Sequence, residues 1–340
     1  IKIFSKEGVK LQGEVEELIE DYLDGKVDVP YATDDAIGRV ISYPQGLENY
    51  LDWIVEEYPL DLSGMKIAMD CANGSSSFTA ERTLKRLGAE VNVFNAQPDG
   101  ININSHCGST HPEDFISFMK EHEGEYDLGL TFDGDADRQI PIAPDGRQVD
   151  GDYMLYILGK YYRDAGVLEG NTVVTTVMAN LGLWKAMERE GIHVEKTDVG
   201  DKYVYDMMCR KGYIVGGEQS GHIILKRHAT TGDGLMTALS ILKVMKVSGK
   251  SVQELMEGLK IYPQLLVNVR VTDKTKVMDD PQVKAAVSDV DVQLHGNGRV
   301  LVRPSGTEPL LRVMAEAETD EICHEVCHRI ADLIQEKYGA

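Results

Sequence analysis

The chain has 340 residues, enough for two or three domains with separate cores, and its 42% hydrophobic and 27% charged content is ordinary for a globular protein. A formal net charge of −21 argues against a nucleic-acid partner, whose phosphate backbone it would repel, but leaves room for a small phosphorylated ligand in a locally basic pocket. No apolar run is long enough to span a membrane and no signal-peptide pattern is present, and the scattered Cys71, Cys107, Cys209, Cys323 and Cys327 point to reduced thiols in a cytoplasmic protein.

Residues 1–4 read as the end of a strand, and an acidic helix follows over Gly13–Leu23 with Val15, Leu18, Ile19 and Tyr22 on one face. A lone strand and helix cannot make a domain, so residues 1–38 are expected to be the remnant of a first domain whose earlier part lies upstream. From residue 39 to 146 strands at 66–70, 90–94, 127–132 and 139–143 alternate with helices at 77–87 and 112–121. That alternation predicts a layered α/β domain with ligand loops at the carboxyl ends of strands. A second alternation fills 147–260, with helices at 152–164, 181–190 and 202–211 and strands at 172–177, 192–196 and 213–215. The helix after Asp233 places Leu235, Leu239, Leu242 and Met245 at core spacing, and Ser251-Val252-Gln253-Glu254 has the form of a capping box. Residues 261–340 change character: three strands surround a helix and a long C-terminal helix follows, a small α+β domain. Cys323 and Cys327 lie on that last helix, with nothing nearby to complete a four-ligand zinc set. No convincing sequence motif repeats between the two larger α/β domains.

Three loops carry chemistry. Asp133-Gly134-Asp135-Ala136-Asp137-Arg138 follows the apolar run Leu128–Phe132. Alternate Asp residues with small residues between them can converge three oxygens on a hard cation such as Mg²⁺, and the adjacent Arg138 suits a phosphate. An EF-hand is rejected because Arg138 and Pro144 stand where it needs Gly and Glu. A haloacid-dehalogenase phosphatase motif fails at Asp137, where that motif wants Thr or Val. A solvated acidic turn stays open, since Asp and Gly are ordinary turn residues. Gly216-Gly217-Glu218-Gln219-Ser220-Gly221-His222 could bracket sugar hydroxyls between glycines, or be a turn around a structural histidine. Arg303-Pro304-Ser305-Gly306-Thr307-Glu308-Pro309 offers a guanidinium fork, two hydroxyls and exposed N–H groups for a phosphate dianion, with Arg312 adding charge, or else forms a solvated hairpin turn.

Taken together, a metal loop, a hydroxyl loop and a phosphate loop in this order resemble the α-D-phosphohexomutases, whose loops read D-G-D-G-D-R, G-E-x-S-G-H and R-x-S-x-T-x-P. Gln219, the run Cys107-Gly108-Ser109-Thr110-His111-Pro112-Glu113, Pro98–Asn104 and Thr230-Thr231-Gly232-Asp233-Gly234 fit the branch that handles amino sugars, and the resemblance covers the whole chain. It implies that Asp133, Asp135 and Asp137 hold Mg²⁺, and that Arg138 and His222 serve catalysis. It further implies that Gly200, Asp201, Lys202, Glu218, Gln219, Ser220, Arg303, Ser305, Gly306, Thr307 and Arg312 bind a hexosamine phosphate. The implied reaction interconverts glucosamine 6-phosphate and glucosamine 1-phosphate through a bisphosphate, feeding cell-wall precursor synthesis; a homodimer is allowed. Two departures stand out. Ala136 replaces a glycine, which a tight turn accepts if that residue needs no positive φ. Lys202, in Val199-Gly200-Asp201-Lys202-Tyr203-Val204, replaces an arginine, keeping charge but losing the planar fork. The rival readings are a glucose or mannose phosphate mutase and a sugar-phosphate-binding fragment without catalysis. The family's phosphoserine lies in T-x-S-H-N-P, shortly before N-G-I-K-x-F, and Ile1-Lys2-Ile3-Phe4 matches the tail of that pattern. The serine is therefore expected just upstream of Ile1. Assayed side by side, the 340-residue chain should bind sugar phosphate without turnover while a chain extended through the serine loop turns over; comparable activity in both would refute this placement.

Overall fold

The computed structural model describes residues 3–11, 13–305 and 308–339. It divides into two units, Ile1–Met178 with Gly191–Glu257, and Ala179–Glu190 with Gly258–Ala340. Elements are numbered below in chain order.

In the first unit Phe4 bridges antiparallel to Lys10, and α1 (Gly13–Leu23) follows with the predicted bounds. Ile1 and Lys2 of the predicted opening strand lie outside the described residues. Of the predicted apolar stripe, Ile19 and Tyr22 are half-buried, whereas Val15 and Leu18 stay exposed. Helix α2 (Gln45–Glu57) buries Leu51 and Ile54.

Strands β1 (Lys66–Asp70), β2 (Glu90–Phe94), β3 (Leu128–Phe132) and β4 (Gln139–Ile142) form a sheet of order β2-β1-β3-β4. β1 runs parallel to β2 and β3, and β3 turns back antiparallel into β4. Every residue of β3 and β4 is buried, which is why Leu128–Phe132 reads as an apolar run rather than an alternation. Helices α3 (Ala80–Arg86) and α4 (Glu113–Glu121) cross over between strands. The predicted start of α3 at residue 77 is corrected. Ser75–Phe78 form a 3-10 turn, because the Ser75 N–H is drawn to the Gly134 carbonyl at 2.9 Å.

The same plan recurs after α5 (Gly151–Asp164), with β5 (Thr172–Thr176), α6 (Leu181–Arg189, in the second unit), β6 (His193–Thr197), α7 (Asp201–Lys211), β7 (Val215–Gly217) and β8 (Ile223–Leu225). Its strand order is β6-β5-β7-β8, again parallel until a final antiparallel hairpin. The repeat absent from the sequence is thus present in the topology. Helix α8 (Gly234–Ser248) follows, capped at its start by the Asp233 side chain on the Met236 N–H. Leu235, Leu239 and Leu242 are fully buried there, each worth roughly 1.5–3 kcal/mol. α9 (Val252–Met256) starts with both arms of the predicted capping box.

The second unit adds β9 (Gln264–Arg270), α10 (Lys274–Asp279), α11 (Pro281–Gln293), β10 (Arg299–Pro304), β11 (Leu310–Glu316) and α12 (Asp320–Tyr338). Its antiparallel sheet, ordered β10-β11-β9, packs Val269, Leu311 and Val313 against Val326, Ile330 and Ile334 of α12. The single helix expected before β10 is two, because Pro281 cannot continue α10 and instead opens α11 behind the capping Asp280. All five cysteines are free thiols, and among the described residues no helix is long and apolar enough to cross a membrane.

Gly74 tests this packing directly, since a Cβ there would lie 2.2 Å from the Gly134 carbonyl oxygen, whereas one on Gly38 would meet nothing within 4 Å. Gly74→Ala should lower stability in urea denaturation by about 1–3 kcal/mol, and Gly38→Ala should leave it nearly unchanged.

Candidate active site

The turn between β3 and β4 gathers the carboxylates of Asp133, Asp135 and Asp137, with one oxygen from each lying within 4.8 Å of the others. Asp133 is buried, Asp137 half-buried and Asp135 exposed, so the cluster opens to solvent on one side only. Arg138 closes the turn on itself. Its backbone N–H donates to Asp133 Oδ1 at 3.1 Å and its Nε to Oδ2 at 2.7 Å. Burial pushes the Asp133 carboxyl up, against the opposing pull of the Arg138 guanidinium. The expectation for Ala136 is corrected here. It sits at φ +56°, a left-handed conformation that costs a non-glycine residue about 1–2 kcal/mol. Two bonds hold it there: its N–H to the Asp133 carbonyl at 3.1 Å, and the Gly234 N–H to its own carbonyl at 2.9 Å.

The hairpin between β7 and β8 carries Glu218, Gln219, Ser220 and His222, and it lies against the acidic turn, the Gln139 N–H donating to the Gly221 carbonyl at 3.2 Å. His222 is buried at 4% exposure. Its Nδ1 is 3.3 Å from Asp137 Oδ2, and its Nε2 accepts from the Gly232 N–H at 3.1 Å and lies 3.3 Å from Asp201 Oδ2. Both ring nitrogens are therefore engaged within the protein. Glu218 is half-buried and accepts from the Gly200 N–H at 3.0 Å. Gln219 turns to the α5 cap, its amide donating to Asp150 Oδ2 at 3.3 Å. Ser220 is exposed.

Gly200, at φ +130°, ends the loop into α7, and Asp201 begins that helix. Asp201 binds Lys10 of the N-terminal arm. Burial raises its carboxyl, but Lys10 and His222 outweigh this and hold it below the usual range. Lys202 is exposed, with its ammonium 5.1 Å from the Tyr203 ring centre. Lys10, Asp201, Lys202, Tyr203 and Thr231 help line a cavity of about 420 Å³.

In the second unit Arg303 and Arg312 are direct cross-strand partners on β10 and β11. Burial and the neighbouring Arg312 charge together lower the Arg303 pKa, and its buried Nε has no hydrogen-bond partner among the described residues. Two guanidinium groups side by side with an unmet donor are matched to an anion. Ser305 is buried, its Oγ accepting from the Glu308 N–H at 3.3 Å. Gly306 and Thr307 lie outside the described residues.

Sequence reasoning missed three neighbours of these loops. Lys10 reaches Asp201 across 191 positions, and Lys274 donates to the carbonyls of Ser305 at 2.7 Å and Glu308 at 3.2 Å. Tyr50 donates to Asp233 at 2.8 Å and so steadies the segment that touches His222. None belongs to a motif, and each contact exists only once distant segments are folded together.

Three family models match in succession: phosphoglucomutase/phosphomannomutase alpha/beta/alpha domain II over residues 46–146, alpha/beta/alpha domain III over 150–262, and the C-terminal domain over 266–333. Phosphoglucosamine mutase from Geobacillus thermodenitrificans is 49% identical over 340 residues, all of this chain and 75% of the relative's length. The protein of that name from Streptococcus agalactiae is 47% identical, with 100% of this chain and 75% of its own covered. Among solved structures, a phosphoglucomutase/phosphomannomutase family protein from Burkholderia thailandensis superposes with a TM-score of 0.76 at 20% identity, covering 96% of this chain and 70% of its own. N-acetylphosphoglucosamine mutase from Aspergillus fumigatus, in complex with GlcNAc-6P and magnesium, gives 0.69 at 20% identity, over 84% of this chain and 66% of its own. The chain belongs to the phosphoglucomutase/phosphomannomutase family, and within it to the phosphoglucosamine mutases.

Proposed function

We propose that this chain carries the metal, sugar and phosphate loops of an enzyme that interconverts glucosamine 6-phosphate and glucosamine 1-phosphate. The observation that carries this reading is the convergence of Asp133, Asp135 and Asp137, with His222 seated against Asp137. Three carboxylates and no soft ligand fit Mg²⁺, which prefers oxygen donors. Bound there, it would supply the positive charge that offsets developing charge on a transferring phosphoryl group.

The protein groups divide the remaining work. Arg138 is tethered to Asp133 through Nε, which leaves its terminal nitrogens for phosphate oxygens. His222 acts as an orienting residue rather than a proton carrier: Nδ1 steadies Asp137, and Nε2 is taken by Gly232. Glu218, fixed by Gly200, and the exposed Ser220 hold sugar hydroxyls. Arg303, Ser305 and Arg312, with Gly306 and Thr307, hold the phosphate that does not react. A fork-and-nest of this kind can accept that phosphate in either sugar orientation, as a bisphosphate pathway demands. Asp201 and Lys202 line the approach, Gly200 holds Glu218, and Gln219 fixes the sugar loop through Asp150.

In a chain carrying the serine loop, Asp135→Asn should lower turnover by at least ~10²-fold. Asp145→Asn should do little, because Asp145 only pairs with exposed Arg147 on the next turn. Equal losses in steady-state assays would refute the metal assignment. With both sugars competing, glucosamine 6-phosphate should be favoured over glucose 6-phosphate by at least ~10-fold in kcat/KM. Parity would favour the glucose or mannose phosphate reading.

A further inference from the structure

Helix α12 carries His324-Glu325-Val326-Cys327-His328, two histidines one helical turn apart. That spacing brings both side chains to one face. In the structure their rings stack, with centres 4.8 Å apart and planes 19° from parallel. Asp332 continues the stripe one turn on, its Oδ1 3.8 Å from His328 Nδ1, and Asp320 begins the helix one turn before His324. The helix's opposite, apolar face, with Cys323, Val326, Cys327 and Ile330, is what enters the core. His324 and Asp332 are exposed and His328 is half-buried, so core packing does not account for the pair.

We propose that His324 and His328 form a binding site for a borderline divalent transition metal, represented here by Zn²⁺. Imidazole nitrogen suits Zn²⁺ and Cu²⁺, in contrast to the oxygen-only cluster at Asp133. A small rotamer shift lets the Asp332 carboxylate, 3.8 Å from Nδ1 of His328, accept from that nitrogen and leave Nε2 for the metal, the usual arrangement behind a ligating histidine. Zn–N bonds of about 2.0–2.1 Å in tetrahedral geometry place two nitrogens roughly 3 Å apart. Rotation about χ2, a broad torsion in histidine, reaches this from the stacked pair. Five acidic residues on the helix, Asp320, Glu321, Glu325, Asp332 and Glu336, against Arg329 and Lys337, favour a cation at its surface. Among the described residues the only cluster of three or more converging ligands is at Asp133. The α12 site is therefore a two-histidine site completed by water. Glu325 has the spacing of a metalloprotease base, but it lies on an exposed helix face with no third protein ligand. The assigned property is binding, which stabilises the fold by linkage, not hydrolysis.

The test is isothermal titration of Zn²⁺ into the full chain, with millimolar Mg²⁺ saturating the Asp133 cluster and Cys209→Ser removing the exposed thiol. One equivalent should bind. His324→Ala or His328→Ala should abolish that binding while leaving helical circular dichroism intact, and Asp332→Asn should weaken it by ~10–100-fold. Cu²⁺ in place of Zn²⁺ should show nitrogen hyperfine coupling from two imidazoles in the parent and lose that two-imidazole pattern in each single variant. Unchanged Zn²⁺ affinity and stoichiometry in His324→Ala and His328→Ala, or no binding in the parent, would overturn the proposal.

Discussion

The candidate site of the first unit depends on two hairpins approaching one another closely enough to bond backbone to backbone. The Gln139 N–H meets the Gly221 carbonyl, and side chains are excluded from the seam. A Cβ on Gly221 would lie 2.5 Å from the Gln139 carbonyl, and one on Gly232 would lie 2.6 Å from His222 Nε2. Gly234 is pressed in the same way, at 2.9 Å from the carbonyls of Ala136 and Arg138. Three glycines at one junction are the steric condition for His222 to reach Asp137. The strain at Ala136 belongs to the same junction, since the carbonyl that receives the Gly234 N–H is that of the residue held at positive φ.

Where these loops come from follows from topology. The acidic turn proposed for the metal joins β3 to β4, the loop proposed for the sugar joins β7 to β8, and the two sheets share strand order and direction. The phosphate loop likewise spans an antiparallel pair, β10 and β11. A parallel strand must leave its sheet through a long crossover, whereas an antiparallel return presents a short loop at the strand ends. Arg303 and Arg312 are thereby mounted on paired backbone, and the three carboxylates on a turn clamped between paired strands. That is the preorganisation phosphoryl transfer requires.

Much of this was legible in the sequence. A continuous apolar run gave β3, the alternation of strands and helices gave β1, helical spacing gave α1 and α8, and the acidic turn announced itself through residue type alone. What stayed hidden depends on three-dimensional partners. Whether Ala136 needed positive φ could not be read from Asp-Ala-Asp, because the constraint comes from Gly234, far along the chain. For His222 the sequence left proton transfer and orientation equally open, and only the fold shows Asp137 and the Gly232 N–H at its two nitrogens, as it shows the Gln219 amide donating to Asp150. The division between α10 and α11 was visible in Pro281 and was overlooked because the surrounding residues favour helix. Lys10 and Lys274 had no local signature at all.

Helix α8 packs against both β4 and β8, and against α5. Its N-terminus is fastened by Tyr50 to Asp233, and its middle by Tyr58 to Ser240 at 2.8 Å. One buried rod is therefore shared by two sheets that a topological reading would separate. Loosening either sheet strips apolar cover from the same helix, so the two repeats open together. In amide exchange, β3 and β5 should behave as members of one cooperative block, slow to open and released as a whole.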